Sequence, residues 1–221
     1  MERLTVMSLF SLENTIASEI FTDCKYGWEV LPKINPFIKQ LGASLSQDKY
    51  EKLGEDIWVA KNAKIAASAS ITGPCIIDEE AEIRHCAFIR GNAMIGKKCV
   101  VGNSTELKNV ILFDCVQVPH YNYVGDSVLG YRSHLGAGAI TSNVKSDKSL
   151  VTVLMDTERY ATGLKKFGAM VGDFVEVGCG SVLNPGTVVG KNTNIYPLSM
   201  VRGYIAPNSI YKKSGEVIRR S

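Results

Sequence analysis

Residues 83–107 read IRHCAFIRGNAMIGKKCVVGNSTEL, and Ile83, Ile89, Ile95, Val101 and Leu107 stand six apart throughout. Neither the 3.6-residue period of a helix nor the two-residue period of a strand produces that spacing. Upstream the series includes Val59, Ile65, Ile71 and Ile77; downstream it resumes at Val171, Val177, Leu183, Val189, Ile195 and Val201. Four positions after most of these anchors comes a small residue, as at Ala63, Ala69, Cys75, Ala81, Ala87, Ala93, Cys99, Thr105, Ser181, Thr187 and Ser199. A fixed period of this length predicts a solenoid in which each hexapeptide supplies one short strand and one corner. The aliphatic residue points inward, the small one fits where the chain turns, and each coil bonds only to its neighbours.

The period falters in the middle. Leu107, Leu112, Val118, Val124, Leu129 and Leu135 include two steps of five among steps of six. Function is expected where a repeat is broken, because irregular backbone re-aims side chains outward. Residues 144–170 leave the repeat altogether. There SLVTVLMD (149–156) and ERYATG (158–163) read as the arms of a hairpin projecting from the prism and leading into LKKFG (164–168). An insertion of this size adds little closure entropy and is more often functional than idle.

Ahead of the solenoid, Leu12, Ile16, Ala17, Ile20 and Phe21 recur at helical spacing. A second helix is expected near Ile34, Phe37, Ile38 and Leu41, with Asn35 as N-cap, Pro36 at its first position and Gly42 just past its end. The chain divides into an N-terminal helical cap over the first coil (1–56), a β-helix domain (57–211) with its insertion loop at 144–170, and a C-terminal tail (212–221). The cap is assigned no chemistry.

A chain of 221 residues has room for one sizeable domain and a small appendage. Its net charge of +3 comes from interspersed residues, without the basic stripe of a nucleic-acid binder, and leaves anionic small molecules as partners. Cys24, Cys75, Cys86, Cys99, Cys115 and Cys179 form no C-x-x-C pair and read as reduced thiols in a cytoplasm. The short apolar run near the start is flanked by Glu2 and Glu13. No run approaches the ~18 residues of a membrane span, so neither a signal peptide nor a span is expected.

Several residues in and near the broken section have chemical potential. His120 lies in VPHYNYVGD (118–126); an imidazole with a pKa near 6.5 serves as a base at neutral pH, although a lone histidine is more often a structural residue. Arg90 and Lys108 are eighteen residues apart, each directly after an anchor, and therefore stack on the same side of the prism. Two fixed cations there make a phosphate site or a pair of solvated surface charges. Glu106 is a hydrogen-bond acceptor for a bound hydroxyl or amine, or an ordinary charged corner residue.

The hexapeptide pattern over roughly 59–206 resembles the left-handed parallel β-helix of the hexapeptide-repeat acyltransferases, an all-β fold. Residues 101–143, VGNSTELKNVILFDCVQVPHYNYVGDSVLGYRSHLGAGAITSN, resemble more closely the acetyltransferase domain of bacterial bifunctional N-acetylglucosamine-1-phosphate uridyltransferase/glucosamine-1-phosphate acetyltransferases. They also resemble that domain's archaeal sugar-1-phosphate nucleotidylyltransferase relatives, and TGLKKFGAMVGD and LNPGTVVG look like the archaeal branch. The resemblance implies an acetyl-CoA-dependent N-acetyltransferase for an amino-sugar 1-phosphate of the glucosamine-1-phosphate kind, on the way to UDP-N-acetylglucosamine. It implies a cytoplasmic homotrimer with active sites between neighbouring solenoids, no metal in the acetyl-transfer site, and neither nucleic acid nor membrane as partner.

Residue by residue, the resemblance makes His120 the general base, Arg90 and Lys108 the phosphate ligands, and Tyr123 and Asn143 contacts of the acceptor. GAGAIT (136–141) offers small residues along which a pantetheine arm runs, with backbone N–H groups for the oxyanion. Ala137, Cys179 and Pro197 are the expected CoA contacts; Cys179 stands in place of a serine. Lys165 and Lys166 are cations for the CoA phosphates or the acceptor, or a solvated loop pair. The chain departs from the pattern at His134, where the bacterial proteins have an asparagine facing the sugar, and at Val144, where they have a tyrosine. No Gly-rich nucleotidyltransferase signature precedes the solenoid, so the uridyltransferase half is expected to be absent.

Two other readings use the same fold. The γ-class carbonic anhydrases bind zinc between subunits through three histidines; this chain has His85, His120 and His134, but the last two are 14 residues apart where that family has them within one hexapeptide. A non-catalytic β-helix for oligomerisation or sugar-nucleotide binding has no need of His120, Arg90 and Lys108 together.

Overall fold

The structure is a computed structural model that describes residues 2–212 and 216–219. The hexapeptide period builds a three-sided prism of parallel strands. In one coil, Cys75–Ile77, Glu82–Ile83 and Phe88–Ile89 supply the three sides. Each pairs in parallel with the coil that follows, Ile77 beside Ile95, Ile83 beside Val101 and Ile89 beside Leu107. The anchors fill the interior, and the small residues Ala81, Ala87, Ala93, Cys99 and Thr105 are buried where the chain turns. Just before each of these, Glu80, Cys86, Asn92, Lys98 and Ser104 adopt left-handed φ values of 51–58°. Such a conformation is unfavourable for a residue with a Cβ, and stacking between coils holds it.

The two five-residue steps have a structural cause. Glu106–Leu112 and Tyr123–Leu129 run as unbroken seven-residue strands round a corner that other coils make with a turn. They join two sides of the prism into one 14-stranded sheet, while the remaining side forms a 9-stranded sheet. At their midpoints Asn109 and Asp126 carry the left-handed conformation, with φ of 55° and 47°.

The N-terminal segment meets the first coil through Tyr50–Gly54, which pairs antiparallel with Ile57–Ala60 at the edge of the sheet, but its helical part extends well beyond that coil. It runs along one whole side of the prism, over Trp58, Ile76, Met94, Ile111, Val128, Met170 and Val188, which precede the anchors and are all buried. Because successive side chains of a strand point to opposite faces, each apolar doublet puts one residue inward and one outward. The outward stripe requires cover, and burial of apolar surface supplies the driving force, ~25 cal/mol per Å². Trp28 provides it by stacking on Tyr26 (4.5 Å) and tilting against Phe167 (5.7 Å). Phe10 and Phe21 pack on Phe113 at 5.2 and 5.8 Å. The Asp114 and Asp173 N–H groups donate to Asn14 O (3.0 Å) and Leu9 O (3.1 Å), binding the segment to two different coils.

The expected first helix is replaced by two 3₁₀ turns, Leu12–Asn14 and Ser18–Phe21. Thr15 between them is extended, and its hydroxyl captures the Ala17 N–H at 3.1 Å. The second helix forms, but as a 3₁₀ stretch Gly27–Lys33 running into an α-helix Ile34–Ser44. Lys33 is its N-cap, and Asn35 donates to Asn92 Oδ1 (2.8 Å) instead of capping. Gly42 lies inside the helix because a Cβ there would stand 2.3 Å from the Trp58 ring. Gly42→Leu therefore overpacks this contact, with an expected loss of about 2–3 kcal/mol, or roughly 5–10 °C in Tm, measurable by thermal unfolding.

The hairpin is present, Thr152–Met155 against Glu158–Ala161, but it lies on the prism instead of projecting from it. Val151, Val153 and Met155 alternate along the first arm and are buried; Arg3 forms an ion pair with Asp156 at the tip. In the expected tail, Val217–Arg219 pairs antiparallel with Ser209–Tyr211; residues 213–215, 220 and 221 lie outside the described residues. No helix among the described residues is long and apolar enough to cross a membrane.

Candidate active site

The first group of candidate residues gathers where the seven-residue strands bend. Arg90 and Lys108 occupy equivalent positions in adjacent coils, as their spacing predicts: the Arg90 N–H donates to Leu107 O (2.8 Å). Neither cation is left unpaired. Arg90 Nη1 donates to Glu106 Oε1 at 2.6 Å, and Lys108 Nζ contacts Asp126 Oδ2 and Oδ1 at 3.2 and 3.3 Å. The phosphate site read from the sequence is thus two ion pairs of zero net charge. Arg90 keeps further N–H groups for a ligand, since one of five is engaged.

Asp126 organises the group. It is 5 % exposed, and besides Lys108 it accepts hydrogen bonds from Asn109 Nδ2 (3.0 Å) and Asn143 Nδ2. A buried carboxylate is tolerable only with such a set of donors. Asn143 also donates to the Tyr123 hydroxyl at 3.2 Å. Gly125 makes this closure possible: a Cβ there would meet the Tyr123 hydroxyl at 2.5 Å and Asn143 Nδ2 at 2.8 Å. Burial, then the nearby Asp126 charge, raises the Tyr123 pKa above its usual value, so the phenol stays a donor at neutral pH. Lys166 directly precedes Phe167, whose N–H donates to Asn143 O (3.0 Å). Lys165 and Lys166 are exposed at the edge of this group.

The second group runs along the neighbouring corner. Pairing aligns His120 with Asn103, and the same register continues through Ala137, Cys179 and Pro197. The next residue in each coil ties the column together: Gly138, Gly180 and Leu198 N–H donate to the carbonyls of His120 (3.0 Å), Ala137 (2.8 Å) and Cys179 (2.9 Å). From His120 to Pro197 all four side chains are exposed. At about 4.8 Å per coil the column is roughly 14 Å long. The Gly138 and Ala139 N–H groups are engaged by His120 O and Gly136 O. Within the GAG turn this leaves the Ala137 N–H as the donor without a protein acceptor among the described residues.

His120 has a fixed backbone and a free ring. Its N–H donates to Asn122 Oδ1 (3.1 Å), and Asn122, 2 % exposed, donates to Gly136 O (2.8 Å) and Ala139 O (3.0 Å). The imidazole has no hydrogen-bond partner among the described residues, and the corner Tyr121–Asn122 separates it from Tyr123. One chain therefore brings Arg90, Glu106, Lys108, Tyr123 and Asn143 together and leaves His120 outside that network. His134 joins neither group: its Nδ1 is 2.7 Å from Glu176 Oε2, on the outer side of the 9-stranded sheet. No group of three or more His, Cys, Asp or Glu side chains is gathered as a metal site among the described residues.

A family model described as the GMPPB C-terminal domain matches residues 71–158. The chain is 32% identical over 212 residues to the "Bifunctional protein GlmU" of Methanococcus vannielii, covering 87% of this chain and 47% of that protein. With the protein of the same name from Methanocaldococcus jannaschii it shares 32% over 211 residues, 85% and 50% of the two chains. A "Bifunctional sugar-1-phosphate nucleotidylyltransferase/acetyltransferase" of Sulfurisphaera tokodaii is 29% identical over 163 residues, 66% of this chain and 41% of that one. The chain is a homologue of these proteins. It spans about half the length of the curated relatives it matches.

Asn109, Asn122 and Asp126 escaped the sequence reading, although each sits in the broken section. Asn122 and Asp126 flank the Y-x-G core of HYNYVGD, and a short polar residue beside a shortened repeat is the available signal for a corner held by side chains. Removing Arg90 tests the first group. Arg90→Leu is expected to raise KM for a phosphorylated acceptor about tenfold or more, as loss of a charge-assisted contact does, with kcat little changed. Steady-state kinetics against acceptor concentration reads it.

Proposed function

We propose that the protein is an acetyl-CoA-dependent N-acetyltransferase of an amino-sugar 1-phosphate, glucosamine 1-phosphate or a close analogue. The observation that carries this reading is the exposed column from His120 through Ala137 and Cys179 to Pro197, a free imidazole at the head of a run of small side chains. A pantetheine arm laid along the column brings its thioester to the ring. The likeness to the protein named a sugar-1-phosphate nucleotidylyltransferase/acetyltransferase supports the acetyl group and a sugar 1-phosphate.

His120 removes a proton from the attacking amine as its nitrogen bonds to the thioester carbon. The Ala137 N–H donates to the oxyanion that develops on the carbonyl oxygen. Collapse of the tetrahedral intermediate expels the CoA thiolate, and the imidazolium returns the proton to sulfur. Arg90 and Lys108 hold the acceptor phosphate and Tyr123 and Asn143 its sugar, which turns the reaction into an oriented encounter. Glu106 binds an acceptor hydroxyl or the amine, and Lys165 and Lys166 meet the phosphates. His134, steadied by Glu176, stands as a specificity position.

His120 and the Arg90 group do not touch within one chain, and neighbouring solenoids of a cytoplasmic homotrimer complete the site between them. Support comes from the apolar residues that flank Glu106 and Tyr123 in one column on the outer side of the 14-stranded sheet, Phe88 on one side and Ile140, Val182 and Met200 on the other, with Phe88 and Met200 41 % and 61 % exposed. A thiol-release assay with acetyl-CoA against a panel of amino-sugar phosphates tests the function. Release of CoA with an amino-sugar 1-phosphate, and none with the corresponding N-acetylated sugar, is the expected result; silence across the panel overturns it.

A further inference from the structure

Between the hairpin and the prism lies a cleft of about 660 Å³. Its floor is a column of the solenoid, Ser142, Asn184 and Arg202, which follow Thr141, Leu183 and Val201 in register. Its wall is the outer side of the hairpin, where Leu154 pairs with Arg159. The wall is fixed to the floor. Gly186 and Gly203, with φ of 80° and 70°, let the hairpin backbone approach so closely that a Cβ on either would stand 2.7 Å from Thr152 O or 2.5 Å from Leu154 O. The other side of the hairpin is anchored by Val151, Val153 and Met155 in the core.

The charges here differ from those at Arg90 and Lys108. Arg159 on the wall and Arg202 on the floor both line the cleft, both are exposed, and neither has an ion-pair or hydrogen-bond partner among the described residues. Lys145 at the rim is 3.5 Å from Asp147 and bonded to Ser149, which balances one charge and leaves two guanidiniums uncompensated. Like charges facing one concavity repel until an anion bridges them, and a planar guanidinium fork suits a phosphate. The hydroxyls of Ser142, Ser146 and Thr152 are free to donate as well. Leu154, Pro185 and Val144 add apolar wall, and the volume lies in the range of sites for whole small molecules, well beyond a single phosphate.

We propose that this cleft binds the phosphorylated nucleoside portion of a ligand, with Arg159 and Arg202 gripping its phosphates from the two sides. Two sources offer that chemistry: the adenosine 3′,5′-bisphosphate end of acetyl-CoA, in which case the inference rests on the acetyl-transfer reading, and the nucleoside diphosphate of a sugar nucleotide, in which case it does not. Titration calorimetry of the full chain with adenosine 3′,5′-bisphosphate, UDP and inorganic pyrophosphate separates them. One of the two nucleotides is expected to bind at least tenfold more tightly than pyrophosphate, and the one that binds names the source. Arg159→Gln and Arg202→Gln each weaken that binding tenfold or more while thermal unfolding stays at the wild-type temperature. Binding unchanged in both variants, no binding of either nucleotide, or pyrophosphate bound as tightly as the nucleotide overturns the proposal. Because the readout is binding, loss of turnover with intact nucleotide binding counts against acetyl transfer alone, and the converse against the cleft alone.

Discussion

In the His120→Ala protein, acetyl-transfer turnover is expected to fall by roughly a hundredfold or more, the usual effect of removing a general base. Acceptor KM stays near the wild-type value, because the phosphate and sugar contacts belong to Arg90, Lys108, Tyr123 and Asn143 on the far side of the corner. The fold is unaffected. The His120 ring is exposed and bonded to nothing among the described residues, so truncation should change stability by no more than about 0.5 kcal/mol. Initial rates of CoA release, read beside a thermal melt, check both statements. Turnover at the wild-type level would remove His120 from the chemistry.

The other large effect is on stability. Trp28 is 2 % exposed, stacked on Tyr26 and packed at a tilt against Phe167. Trp28→Ala is expected to cost about 3–5 kcal/mol, which lowers Tm by roughly 10 °C or more in a domain of this size. The loss comes from uncovering the outer apolar stripe, so a hydrophobic dye should bind the variant below its melting temperature. A Tm within about 2 °C of wild type would mean that the prism carries that stripe bare and that the N-terminal segment is an accessory.

The solenoid was legible because its rule is simple. One inward position in six must be aliphatic, and that rule repeats from Val59 to Val201 with the breaks marked. Even the outward stripe was written in the sequence, as the doublets Trp58–Val59, Ile76–Ile77, Met94–Ile95, Ile111–Leu112 and Val128–Leu129. Each third strand carries one, and a reading that follows the anchors alone passes over the partner residue. The same holds for the hairpin, whose Val151, Val153 and Met155 alternate as the buried face of a docked strand.

The candidate site was legible by position and not by pairing. Register placed Arg90 above Lys108, and it aligned Ala137 with Cys179 across an offset of 42 residues once the insertion is passed over. What register does not contain is where a long side chain turns. Arg90 finds Glu106 and Lys108 finds Asp126, 16 and 18 residues away, because the corner skipped by Glu106–Leu112 and Tyr123–Leu129 aims these groups at one another. His134 likewise bonds to Glu176, 42 residues on, through an adjacency that exists only after the coils stack.

The most direct measurement follows a carbonyl-labelled acetyl group. The protein is incubated with [1-¹³C]acetyl-CoA and glucosamine 1-phosphate, and the products are read by carbon NMR alongside free thiol. Acetyl transfer through His120 requires one labelled amide on the sugar nitrogen for each CoA released, with both signals falling together by roughly a hundredfold or more in His120→Ala. A folded wild-type protein that releases no CoA and transfers no label to any amino-sugar phosphate would contradict it.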